Sequence, residues 1–282
     1  LQGLNTSWRH AIAPDGTVYI AGIAVGNTPV LWSYSPVTKT VTNHGDPSPG
    51  QKSLWSMTTD DKGNVYGGTF DSGKLFKFDP VTREFHDYGT VLPGRGYIRS
   101  MAYYDGYIYA GLGAVGAVVK VNVETGEKEV ISDAVPGILG VAPEEVPFAY
   151  DMAVVDGYLV VRFSDPLNEL LFYDLEKQEW LPHKIGQVID GVTGVGVYGF
   201  NQLLTLDGKL YIIGNRQLVE VDLTTFEARS TGANYGSSLR GAMWIEFTDS
   251  PQFPGKSLVT LQSGGKITRI NVKDGLREDF DA

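Results

Sequence analysis

Cysteine is absent from the 282 residues. No disulfide can staple the chain, and no thiolate can ligate a metal. Basic residues are in short supply, with 23 Lys and Arg against 33 Asp and Glu for a formal charge of −10. Nucleic-acid binding by phosphate neutralisation needs a basic surface, and no Lys/Arg cluster provides one, so nucleic acid is not an expected partner. Long apolar runs are also missing. None approaches the roughly 18 residues of a membrane-spanning helix, and no membrane span is expected. The first residues, Leu1-Gln2-Gly3-Leu4-Asn5, lack an initiator Met, a basic n-region and an apolar h-region. The expectation is a processed product or excised piece whose targeting segment lies elsewhere. With zero cysteine, it is that of a bacterial, secreted protein, extracellular or periplasmic.

What is abundant points to strands. Hydrophobic residues make up 42% of the chain, rich in Val, Ile, Tyr, Phe and Trp and punctuated by 35 Gly and 14 Pro. That mixture suits short strands and tight turns. The strongest signal is self-similarity. One pattern recurs: a small or apolar strand ending near Asp-Gly, an aromatic-rich strand, a glycine turn, a third strand ending in Asp or Asn, then a hairpin. It reads as Trp55-Ser56-Met57, Lys62-Gly63, Val65-Tyr66-Gly67-Gly68 and Lys74-Leu75-Phe76-Lys77-Phe78-Asp79-Pro80 in one copy. The next gives Arg99-Ser100-Met101, Asp105-Gly106, Ile108-Tyr109-Ala110-Gly111 and Val119-Lys120-Val121-Asn122.

Two anchors set the register. The turn glycines Gly16, Gly63, Gly106, Gly157, Gly208 and Gly255 are spaced by 47, 43, 51, 51 and 47 residues. After each third strand stand Ser35, Asp79, Asn122, Asp174, Asp222 and Asn271, residues that accept backbone hydrogen bonds at a turn. A four-stranded sheet cannot bury both its faces alone, whereas sheets set radially about an axis can. The predicted fold is therefore all-β, a six-bladed β-propeller of four-stranded antiparallel sheets in one domain over 1–282. Its blades fall near 1–48, 49–94, 95–143, 144–190, 191–232 and 233–282. The first repeat begins at its innermost strand and the sixth ends at its outermost, with no strand shared between the termini. The alternative is thus a piece of a seven- or eight-bladed ring within a longer chain with further domains. The stretch from Ser132 to Val146 reads as a surface loop.

The Asp-Pro-x-Thr hairpins and Asp-Gly-x-Val-Tyr-x-x-Gly strands resemble those of bacterial secreted propellers of the quinoprotein-like and streptogramin-lyase-like superfamily, over the whole chain. That resemblance implies the fold, and it extends to binding proteins, lyases, lactonases and scaffolds alike. Lactonases of the gluconolactonase type hold a central metal with Glu, Asn and Asp, and no Glu is expected on an inner strand here. No metal or other cofactor is expected.

In such a fold the inner strands begin at one face, where loops from every repeat converge. Alignment on the turn glycine gives a first row of Arg9, Trp55, Arg99, Tyr150, Asn201 and Arg240, and a second of His10, Ser56, Ser100, Asp151, Gln202 and Gly241. The next position is apolar throughout, from Ala11 and Met57 to Ala242. Arginine forks fit carboxylates, and aromatic faces lie against sugar rings. The expected ligand-binding set is Arg9, Trp55, Arg99, Tyr150, Asp151, Asn201, Arg240 and Arg162, with Phe70, Asp71, Asp165, Asn215 and Arg216 on loops of the same face. An equally open reading has these groups pair among themselves and plug the channel.

Of the four histidines, His44, His86 and His183 fall on outermost strands or their loops, as solvated surface residues, and His10 starts an inner strand. It is the candidate general base, with Tyr150 as partner acid. Three function classes follow. The leading one is an extracellular propeller binding a small-molecule or carbohydrate ligand, an acidic sugar or other small anion. The second is a carbon–oxygen lyase opening an acidic polysaccharide by β-elimination. The third is a protein-docking module. Gly111-Leu112-Gly113-Ala114-Val115-Gly116 matches the dinucleotide fingerprint but precedes a strand instead of a helix. Asp60-Asp61 lacks the spacing of a calcium loop.

Overall fold

A computed structural model describes residues 4–24, 28–186, 188–189, 192–193, 204–206, 209–214, 217–234, 239–246, 252, 255–262, 267–271 and 275–280. The chain divides into two compact units, Leu1–Val154 and Val155–Ala282.

In the first unit, strands β1 (Leu4–Ile12), β2 (Val18–Ala24), β3 (Pro29–Ser35) and β4 (Thr40–Gly45) pair in sequence order as one antiparallel sheet. The same meander recurs in β5 (Ser53–Thr59), β6 (Val65–Phe70), β7 (Lys74–Phe78) and β8 (Phe85–Thr90). It recurs again in β9 (Tyr97–Tyr104), β10 (Tyr107–Gly113), β11 (Ala117–Asn122) and β12 (Lys128–Val130). One bridge, Phe70 to Tyr97, joins the second and third sheets. The strand β13 (Ala149–Val155) follows.

Neighbouring sheets bury both faces because successive side chains point to opposite sides. Val65 and Phe76 enter a core with Tyr19, Leu31 and Met57 of the first two repeats. Their chain neighbours Tyr66 and Leu75 enter a second core with Ile98, Met101, Ile108 and Val119. In the second unit β14 (Tyr158–Phe163), β15 (Glu169–Asp174) and β16 (Glu179–Ile185) are antiparallel. Two four-stranded meanders follow, Leu204–Leu206 to Ala228–Asn234 and Leu239–Glu246 to Arg277–Phe280. Val160 and Phe172 pack there with Leu210, Ile212 and Val219.

The turn chemistry repeats as the sequence anchors require. Asp105 and Asp156 have φ of +45°, each followed by a Gly at +80° or +82°, the two-residue hairpin turn whose twist matches the strands. At the other anchor, Oδ1 of Asp79 accepts from Val81 N at 2.8 Å and Thr82 N at 3.2 Å. Asn122, Asp174 and Asp222 accept in the same way from the amides two and three residues on. The residue four places after each anchor has positive φ, at Lys39, Arg83, Gly126, Gln178, Phe226 and Gly275.

Two local expectations are corrected. Gly67, Gly68 and Gly111 lie inside strands β6 and β10, not in a turn. They are needed for close approach: a Cβ on Gly68 would stand 2.4 Å from Ser56 Oγ, and one on Gly111 would stand 2.2 Å from Ser100 Oγ. The stretch from Ser132 to Val146 is folded over the third repeat, with α1 (Val135–Leu139) burying Val135 and Leu139 and Val146 O accepting from Gly116 N at 2.8 Å. Val146 is buried as well, while most of the segment remains at the surface.

Candidate functional site

The site grows from an irregularity shared by the inner strands. Pairing of β5 with β6 slips between Leu54 and Ser56, and that of β9 with β10 slips between Ile98 and Ser100. Trp55 and Arg99 are the extra residues. A bulge releases its residue from ladder pairing and re-aims the side chain. The β1–β2 pairing slips between Ser7 and Arg9, so the three strands bend at nearly the same level.

Those bends bring five sequence-predicted residues of the first unit together. Arg9 Nε donates to Trp55 O at 3.2 Å, and Arg9 Nη2 meets Asp151 Oδ1 at 3.4 Å. The Asp151 side chain is 1% exposed and that of Arg9 12%, so the pair is sheltered from solvent screening. The Arg99 guanidinium carbon stands 3.9 Å from the Tyr150 ring centroid and 5.7 Å from that of Trp55. A cation over aromatic faces gains about 0.5–2 kcal/mol. Arg99 Nε is enclosed and has no hydrogen-bond partner, and no carboxylate pairs with Arg99 among the described residues. Burial, and then the neighbouring Arg99 charge, lower the pKa of Arg9, while Asp151 opposes the shift.

Sequence reasoning missed Tyr97. Its ring centroid lies 5.3 Å from Trp55, 5.2 Å from Phe70 and 5.4 Å from Phe148. Burial pushes its phenol up to about 12 against the pull of Arg99, so it remains a neutral donor. Its place two residues before Arg99 in an aromatic-rich stretch was the available signal. Trp55 is held by its indole N–H, which donates to Ser53 Oγ at 2.5 Å.

The other predicted residues fall differently. Arg162, on β14 in the second unit, is 3% exposed and donates from Nη1 to Asn168 Oδ1 at 2.8 Å. Asn168 in turn donates to Asp165. Asp71 pairs with Lys52 at 2.6 Å. Arg240 lies in strand Leu239–Glu246, but its side chain is outside the described residues, as are Asn201, Gln202, Asn215 and Arg216. In the second row, Ser56 and Ser100 are buried stitches between repeats. Their hydroxyls donate to Ile98 O at 3.0 Å and Ala149 O at 2.7 Å.

His10 alternates with Arg9 and points from the other face of β1, where it is solvent-exposed. The protein around its ring, and then Arg9, lower its pKa. His86 and His183 are exposed. His44 is packed, with its ring 4.5 Å from Phe78 and Nε2 2.8 Å from Ser33 Oγ. Among the described residues no group of three His, Asp or Glu side chains is placed to hold a metal ion, and no helix is long and apolar enough to cross a membrane.

Successive four-stranded meanders packed face on face, with inner-strand residues of several repeats converging, define a β-propeller. No family model matches the chain, and no curated protein matches it. Solved structures do. A streptogramin B lyase superposes with a TM-score of 0.70 at 14% identity, covering 100% of this chain and 85% of that one. Virginiamycin B lyase from Staphylococcus aureus gives 0.68 at 14%, covering 99% and 87%. The extracellular domain of a one-component system from B. thetaiotaomicron gives 0.64 at 12%, covering 99% of this chain and 34% of that one. The chain shares the β-propeller fold of these solved structures.

Proposed function

We propose that this chain is a six-bladed, extracellular or periplasmic ligand-binding propeller whose inner-strand cluster holds an acidic carbohydrate or another small anion. One observation carries the reading. Arg99 is a guanidinium with no carboxylate partner among the described residues, set between the rings of Tyr150 and Trp55. A cation held this way in an acidic protein is an anion receptor in waiting, because its charge and fork are pre-oriented and unspent. The aromatic groups beside it, Trp55, Tyr97 and Tyr150, offer faces for the apolar side of a sugar ring. The resemblance in fold to the extracellular domain of a one-component system supports the location.

Calorimetric titration with a panel of uronate oligosaccharides tests the proposal. Binding is expected, and Arg99→Ala should weaken it at least about 30-fold, the loss typical when one partner of a close charged pair is truncated. Binding unchanged in Arg99→Ala refutes the reading.

A further inference from the structure

The cluster contains two guanidinium groups in different electrostatic situations, and the difference bears on which anions the site accepts. Arg9 already has a carboxylate, Asp151, and its Nε is committed to Trp55 O. Arg99 has rings on its faces and, among the described residues, no carboxylate. With Tyr150 only 3.9 Å above the guanidinium carbon, an incoming group reaches Arg99 through the edge of the guanidinium plane. That edge geometry suits one planar carboxylate.

We propose that Asp151 is the specificity-determining residue of this site: by neutralising Arg9 it leaves Arg99 to meet the ligand alone, so the site selects a ligand carrying one carboxylate over a neutral or a dicarboxylate counterpart. The inference rests on the binding function proposed above and adds the charge class of the ligand. Arg9 is a positioning residue, holding the backbone from which Trp55 projects. Asp151 acts on the ligand through the field. A second carboxylate on the ligand would find Arg9 already satisfied and the Asp151 charge nearby, buried and weakly screened.

Three sugars of one carbon skeleton separate the possibilities: galactose, galacturonate and galactarate, with none, one and two carboxylates. Affinities are measured by calorimetry for the wild type, Asp151→Asn, Arg9→Gln/Asp151→Asn and Arg99→Gln, each first checked for its fold by circular dichroism. The wild type should prefer galacturonate. Asp151→Asn releases the charge of Arg9, and galactarate should gain about tenfold relative to galacturonate, the effect of one unit charge at about 10 Å in a partly screened interior. The double variant should bind all three more weakly, since Trp55 is less well held, yet prefer galacturonate again. Arg99→Gln should no longer distinguish galacturonate from galactose.

A wild type that prefers galactarate, or a ratio unmoved by Asp151→Asn, overturns the inference while anion binding stands. Should Asp151→Asn fail to fold, the double variant decides: loss of its galacturonate preference, as in Arg99→Gln, overturns the inference. A wild type that binds galacturonate no better than galactose removes both the inference and the function it rests on.

Discussion

Substituting Ala for Gly111 tests how the fold supports the cluster. The added methyl would stand 2.2 Å from Ser100 Oγ and 2.7 Å from Ala149 O, both well inside contact distance. Those two oxygens share a buried hydrogen bond of 2.7 Å. Ser100 can relieve the overlap by rotating away, which leaves a buried carbonyl without its donor at a cost of about 1–3 kcal/mol. The carbonyl itself is backbone and can only move with β13, an overpacking strain of about 1–3 kcal/mol. Against this, replacing Gly lowers the entropy of the unfolded chain and returns about 0.5–1 kcal/mol. The net expectation is a loss of about 3 kcal/mol, measured as a shifted urea midpoint with unchanged m-value. Ser100→Ala and Gly111→Ala should combine less than additively, because they remove the same bond. Gly137 supplies the opposite sign: it is exposed in α1, with nothing within 4 Å of an added Cβ. Gly137→Ala should stabilise by about 0.5–1 kcal/mol. Stability of Gly111→Ala at or above that of the wild type would refute the close approach of the third repeat to β13, and with it the support for Tyr150.

Glu220 accepts from Lys209 at 2.6 Å, Arg229 at 3.0 Å and Tyr211 OH at 3.2 Å. Burial raises its pKa, but these three donors outweigh it and hold the carboxyl below its usual 4.5. Its contribution is present above about pH 4.5 and lost as the pH falls through the lowered value; Glu220→Gln should destabilise by about 1–3 kcal/mol at pH 7 and by less in acid, read by denaturation at each pH. Burial, then Arg83, lower the pKa of His44 from 6.5. The fold therefore favours the neutral ring, and stability should fall as pH drops below about 6.5, by less in His44→Gln. Arg83 and Phe226 occupy equivalent left-handed positions, at φ +63° and +58°. Arg83→Gly should be neutral or stabilising by up to about 1 kcal/mol. Phe226→Gly should destabilise by about 3 kcal/mol, because its ring packs on Phe172 at 4.9 Å and His183 at 4.7 Å.

The parts of this architecture legible in the sequence were those enforced by local chemistry. An Asp or Asn that accepts two amides, as at Asp79, Asn122, Asp174 and Asp222, and a Gly that takes positive φ, as at Gly16, Gly63, Gly106, Gly157 and Gly255, leave a mark at a repeating place in the sequence. Four members of the first row followed from their distance to the turn glycine, seven residues for Arg9, Arg99 and Tyr150 and eight for Trp55. What stayed hidden depended on neighbours distant in sequence. The role of Gly68 and Gly111 inside strands is set by a serine on the adjacent inner strand and, beyond it, by the next repeat. His44 was expected in solvent because its strand is outermost, but Phe78 of the following repeat reaches it. Tyr97 joins the cluster through contacts with Trp55, Phe70 and Phe148 that no spacing rule encodes.

The slipped pairing in β5 and β9 has an evolutionary consequence. A residue outside the ladder contributes little to the cohesion of its sheet, so its identity is open to change, and tryptophan in one copy and arginine in the next occupy matching places. Recognition can then be rewritten one side chain per repeat while the scaffold beneath stays as it was.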